Sequence, residues 1–288
     1  PLLFPGSSRT QVEDIIKHRP SWHISSTFPS MSKLNISTHS IQSSSTNAGV
    51  IDVHVFGCSS TSTSPSPSIP IRGTIVTVHP WATLGGSENN TIGLARRITC
   101  SKLKGGEDNR WRVITFTLQS TPIWKGGALW GICSAHSYEV QQIVDVVNWV
   151  SKTYGIDHTI VLLGSSAGAP MAGTAMAKIS KQPQSKVAAY IAVGYTFGRL
   201  SSLGFFQHYA PVLSASLPKL FIMGERDEFT SVEQLYDMVQ KMKSNGDDNV
   251  VDVEIVADVG HFELESPSYD PLVCKLAIEW LDKVLSLS

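Results

Sequence analysis

Thr159-Ile160-Val161-Leu162-Leu163-Gly164-Ser165-Ser166-Ala167-Gly168 passes from a short apolar run into a G-x-S-x-G turn, and Ala169, Ala172, Gly173 and Ala175 follow as a helix of small residues. A serine on a tight turn between strand and helix sits on strained backbone, and any larger side chain at the flanking glycine positions collides with neighbouring main chain. Gly164 and Gly168 meet that demand. Pro170 falls in the first helical turn, where its missing N–H costs nothing. The helix N-terminus then points at Ser166, and its dipole favours negative charge there. Ser166 is therefore the candidate nucleophile.

Outward from this turn the chain alternates between two periodicities. Short apolar runs of the kind a parallel sheet buries on both faces lie at 50–56, 74–78, 113–118, 159–163, 188–193, 220–223 and 251–256. Helical stretches fall between or after them at 92–99, 138–153, 170–179, 232–242 and 272–284. In the second of these, Val140, Ile143, Val144, Val147 and Val150 recur at three and four residues, which defines one apolar helix face. The alternation predicts a doubly wound, mostly parallel α/β sheet with helices on both faces, in one domain over 49–288. The Ser/Pro-rich stretch 59–70 suits a hairpin at the sheet edge. Residues 1–48, rich in Ser and Thr, are expected to form a flexible or targeting-like extension, with Met31 as the preferred start and an organelle transit segment as the alternative.

A serine hydroxyl needs a base. His261 follows the run 251–256 in Asp258-Val259-Gly260-His261, at the carboxyl end of a strand, where such sheets place function. His136, His158 and His208 have no comparable setting. The acid that orients the imidazole is expected at Asp227, just past the run 220–223, with Glu225, Glu228 and Asp258 as competitors. The chain order Ser166, Asp227, His261 is the one that enzymes with this turn require. A tetrahedral oxyanion is expected to meet the Ala167 N–H and a donor from the loop His79-Pro80-Trp81, where Pro80 has no N–H and Trp81 is the nearest candidate.

Composition narrows the partners. With 42% hydrophobic and 16% charged residues the chain can build a large core. A net charge of −1 gives no reason to expect nucleic acid or an anionic membrane. No apolar run approaches a membrane span, so stable membrane insertion is not expected. Cys58, Cys100, Cys133 and Cys274 show no CxxC spacing and read as small buried hydrophobes in a reducing compartment, the cytoplasm. The expected partner is a small acyl substrate, with no metal and no organic cofactor.

Together these residues resemble the α/β-hydrolase superfamily, and within it small esterases and dienelactone-hydrolase-like proteins whose oxyanion loop reads His-Pro-x-Pro-x-x-Gly-Gly. His79-Pro80-Trp81 and Gly85-Gly86 match that loop, with Ala82 in place of its second proline. The resemblance covers the chain from Val50 onward and implies Ser166 as nucleophile, Asp227 as acid, His261 as base and oxyanion donors at Trp81 and Ala167. Relatives carry an Arg-Gly-x-Gly-x-Ser loop where this chain has residues 119–130, so their substrate contacts do not carry over. Dienelactone hydrolases use cysteine at the turn, and Ser166 points instead to an esterase. About 25 residues separate the runs ending at Val193 and starting at Leu220, which leaves no room for a large cap domain. Trp124, Phe197 and Phe205 are expected to line the pocket together with Trp81. A peptidase, an acyltransferase and a binding scaffold without turnover are the alternatives to ester or thioester hydrolysis.

Overall fold

The computed structural model describes residues 34–44, 49–58, 71–80, 86–101, 111–119, 136–182, 187–197, 208–244 and 250–286. Its frame is one eight-stranded sheet: β1 (Leu34–Gln42), β2 (Val50–Cys58), β3 (Gly73–Val78), β4 (Trp111–Phe116), β5 (Ile160–Ser165), β6 (Val187–Val193), β7 (Lys219–Gly224) and β8 (Val251–Val256), in the order β1-β2-β4-β3-β5-β6-β7-β8. From β4 to β8 every pairing is parallel, while β1 pairs antiparallel with β2, and β2 with β4. The central strands β3, β5 and β7 are buried throughout, because helices cover both faces of them.

The helices are α1 (Asn89–Cys100), α2 (His136–Tyr154), α3 (Gly168–Ile179), α4 (Tyr209–Ser214), α5 (Val232–Ser244), α6 (His261–Leu264) and α7 (Asp270–Leu285). One face of the sheet packs α2, α3 and α5, and Val140, Ile143, Val144, Val147 and Val150 all point into that core. The other face packs α1 and α7, through Leu94, Ala95 and Ile98 and through a row from Leu272 to Val284. This two-sided burial is the doubly wound architecture that the alternating periodicity predicts. Between β6 and β7 the described residues hold the short helix α4, and the 25 positions 194–218 are too few for a large cap domain.

Two expectations are corrected. Residues 34–42 do not belong to a loose extension: they form β1, paired residue by residue from Leu34 opposite Cys58 to Gln42 opposite Val50. An edge strand needs apolar residues on little of its surface, so Asn35-Ile36-Ser37-Thr38-His39-Ser40, polar but for Ile36, can remain exposed while the ladder supplies its hydrogen bonds. Nor do β2 and β3 form a hairpin, since β4 lies between them. β2 alternates buried Ile51, Val53 and Val55 with exposed or half-buried residues and suits a place near the edge, whereas β3 is buried on both faces and belongs at the centre. The connection 59–70 is also longer than the two to five residues, roughly, of a tight hairpin loop.

The end of β1 is fastened to α2 by one carboxylate. Asp145 accepts hydrogen bonds from Ser43 Oγ at 2.9 Å, the Ser44 N–H at 2.9 Å and Ser44 Oγ at 2.6 Å. Asp145→Ala is expected to cost about 1–2 kcal/mol and to accelerate amide exchange over residues 34–42 before the rest of the sheet. Hydrogen–deuterium exchange with mass analysis checks this, and unchanged exchange over β1 contradicts it.

Candidate active site

Ser166 sits where β5 turns into α3, with φ +51, a left-handed conformation costly for a side chain with a Cβ. The surroundings leave it no other choice. A Cβ at Gly164 would lie 2.4 Å from the Ala169 Cα, and one at Gly168 would lie 2.4 Å from the His79 carbonyl oxygen and 2.5 Å from that of Val78. Helix and strands therefore approach more closely than any side chain permits. The Ser166 N–H donates to the Val193 carbonyl at 2.8 Å, and its own carbonyl accepts the Ala169 N–H at 3.0 Å, so both sides of the turn are held. Ala167 is the N-cap of α3, at the helix end whose first N–H groups lack intrahelical acceptors.

Three side chains, one each from the β5–α3 turn, the loop after β7 and the start of α6, meet here. Ser166 Oγ lies 2.8 Å from His261 Nε2, and His261 Nδ1 lies 2.6 Å from Asp227 Oδ2. The carboxylate fixes the tautomer: Nδ1–H donates to Asp227, which leaves Nε2 to accept the Ser166 hydroxyl proton. Asp227 Oδ1 accepts the N–H groups of Phe229 and Thr230, both at 2.9 Å, and Thr230 Oγ1 donates to the Tyr195 carbonyl at 2.6 Å, which ties the acid loop to the end of β6. His261 is fully buried, and the side chain of Asp227 is too. Burial lowers the imidazole pKa, yet the hydrogen bond and charge of Asp227, with the charges of Glu265 and Glu228, outweigh it and hold His261 above the ordinary histidine value.

The competing acids are engaged elsewhere. Asp258 is largely exposed and pairs with Arg226, Glu225 accepts the Asp258 N–H at 3.0 Å, and Glu228 accepts the backbone N–H of His261 at 2.9 Å. His261 opens the short helix α6, because the Leu264 N–H returns to the Gly260 carbonyl at 3.0 Å and closes a helical turn. His79 is buried between two main-chain groups: Nδ1–H donates to the Pro80 carbonyl at 2.5 Å and Nε2 accepts the Leu118 N–H at 2.9 Å. Its burial lowers its pKa and suits this neutral clamp on the loop expected to hold the oxyanion. Trp81, Trp124 and Phe205 lie outside the described residues. Phe197 stacks on Tyr209 at 5.8 Å and tilts against Tyr195 at 5.6 Å, while the rings that meet His261 are Phe229 at 4.6 Å and Phe262 at 5.4 Å. Phe262 is 64% exposed, an apolar surface beside the site that sequence reasoning missed.

Comparison with known proteins agrees with the fold. A family model described as Serine hydrolase (FSH1) matches residues 124–254, just under half of the chain, a span that includes Ser166 and Asp227 and stops short of His261. No curated protein matches the chain in sequence. Among solved structures, an alpha-beta serine hydrolase homologue from Coxiella burnetii is similar at 20% identity and a TM-score of 0.56, covering 85% of this chain and 97% of that one. A hyperthermophilic esterase from the archaeon Pyrobaculum calidifontis is similar at 15% identity and a TM-score of 0.63, covering 88% and 84%. A dienelactone hydrolase from Anabaena variabilis is similar at 14% identity and a TM-score of 0.59, covering 88% and 99%. At these identities the likeness is one of fold.

The choice of acid is open to direct measurement. Asp227→Asn is expected to slow labelling of Ser166 by a fluorophosphonate about 10³- to 10⁴-fold, the scale on which loss of the orienting carboxylate acts, whereas Asp258→Asn stays within about threefold of wild type. The second-order labelling rates of the two variants decide it, and the reverse ranking contradicts the assignment.

Proposed function

We propose that this chain, which has the α/β-hydrolase fold, is a serine hydrolase that cleaves a carboxylic ester or thioester through an acyl-enzyme on Ser166. One observation carries the reading: a chain of hydrogen bonds, buried at His261 and Asp227, runs from Ser166 Oγ through His261 to Asp227, with the serine on strained backbone at a helix N-terminus. Ser166 Oγ attacks the acyl carbon while its proton passes to His261 Nε2, and the carbonyl π electrons move onto oxygen. The Ala167 N–H and an N–H from the His79–Trp81 loop meet that oxyanion. Collapse expels the alkoxide or thiolate, which takes the proton from Nε2. Water, deprotonated by the same imidazole, then repeats the sequence at the acyl carbon and releases the acid. The serine hydrolase family match and the esterase among the similar structures support a hydrolase, and the exposed Phe262 beside His261 supports an apolar acyl or alcohol group.

The reading is tested with a chain-length series of nitrophenyl esters. Wild type turns them over, and Ser166→Ala loses at least about 10³-fold in kcat; a folded wild type that cleaves none and is not labelled by a fluorophosphonate overturns the proposal. The pH dependence has a fixed sign. His261 works as a base only when neutral, and its pKa is raised, so kcat/KM falls on acidification with a midpoint above that of an ordinary histidine. A pH–rate profile with a midpoint below the ordinary value contradicts this.

A further inference from the structure

Glu265 is a buried carboxylate that the mechanism above leaves unused. It lies one helical turn beyond His261, at the end of α6, with a side chain only 8% exposed. Its Oε1 accepts the Ser165 hydroxyl at 2.8 Å and lies 3.9 Å from His261 Nε2, the nitrogen that faces Ser166. The imidazole is thus flanked at both nitrogens: Asp227 meets Nδ1 in a direct hydrogen bond, and Glu265 stands beside Nε2 without displacing the serine. A carboxylate in such a place costs desolvation unless a charge on its neighbour repays it.

We infer that Glu265 is a positioning residue for proton transfer: held beside Nε2 by the Ser165 hydroxyl, its carboxylate stabilises the imidazolium that forms when Ser166 gives up its proton. This rests on the serine-hydrolase reading. Among the described residues, the groups that face the ring are few. Asp227 and Glu228 come from the loop after β7, Glu265 from the end of α6, Phe229 and Phe262 bring their edges or faces, and Gly194 at the end of β6 lies against the ring. Around Glu265, burial pushes the carboxyl pKa up and the charge of Asp227 adds to this, while His261 and the hydroxyls of Ser165 and Ser166 favour the charged form. Protonation of His261 and ionisation of Glu265 therefore support one another. In the resting site the same charge makes the imidazolium harder to deprotonate, so stronger stabilisation of the imidazolium is coupled to a higher acid limb.

Glu265→Gln separates charge from shape, because the amide keeps the volume and an oxygen acceptor for Ser165. The expected result has two parts: fluorophosphonate labelling at the pH plateau slows about 10- to 100-fold, and the acid limb of the labelling profile moves to lower pH by about one unit. A part that only holds Ser165 in place is rescued by glutamine, so a wild-type rate and limb in Glu265→Gln overturn the inference. The pKa of the His261 ring, followed by NMR of labelled imidazole, is read without any turnover. It falls in Glu265→Gln if the inference holds, even for a wild type that fails to react, and an unmoved His261 titration refutes it independently of the hydrolase reading. Glu265→Leu, apolar and of similar size, serves where the buried amide destabilises the fold, with the same downward limb expected and an unmoved limb counting against the inference.

Discussion

The structure depends on a turn in which there is no room for a side chain. Where β5 becomes α3, Gly164 touches the helix backbone and Gly168 touches the carbonyls at the end of β3, so Ser166 carries its side chain outward on left-handed backbone. The strain at one residue is borne by a large apolar sandwich: β3, β5 and β7 are buried on both faces, and α3 packs small residues onto the sheet so that its N-terminus ends beneath the serine. Strain of this kind persists only where the surroundings determine it several times over. Here the hydrogen bonds of Ser166 to Val193 and Ala169 add to the packing.

Around that fixed point the polar groups form a connected set with little redundancy. Asp227 uses one oxygen for two loop N–H groups and the other for the imidazole, Glu228 takes the backbone N–H of His261, and Glu265 takes the hydroxyl of Ser165. Each carboxylate is placed by main-chain geometry at the carboxyl end of the sheet, where loops from β5, β7 and β8 converge. Charge is gathered on the side of His261, and the helix end with its positive dipole lies under Ser166. In the proposed mechanism, the two halves of the site favour the two charges that would develop together, a cation on the ring and an anion on the acyl oxygen.

Much of this was legible in the sequence because the signals were local. The apolar run before Gly164, the glycines at fixed spacing and the small residues after them specify strand, turn and helix within twenty residues or so. The helix bounds and the order of Ser166, Asp227 and His261 followed from periodicity and from the positions just past apolar runs. What escaped had no local signature. β1 is polar because it lies at the edge, and only its partner β2 reveals it as a strand. The insertion of β4 between β2 and β3 is a fact of three-dimensional packing that connection length alone hints at. Glu265 reads as an ordinary charge in Glu263-Leu264-Glu265-Ser266; its spacing of four from His261 points to the site only once α6 is known to begin at that histidine. Phe262 likewise looks like a core residue until the helix turns it outward.

The central claim is that the left-handed turn makes Ser166, and not its neighbour Ser165, the nucleophile. Two adjacent hydroxyls provide an internal control: one faces His261 Nε2 and the other is spent on Glu265. Reaction of the wild-type protein with a fluorophosphonate, followed by digestion and fragment-ion mass spectrometry, reads which oxygen carries the phosphonyl group. The account predicts a single adduct per chain, on Ser166; an adduct on Ser165, or none on a folded protein, contradicts it.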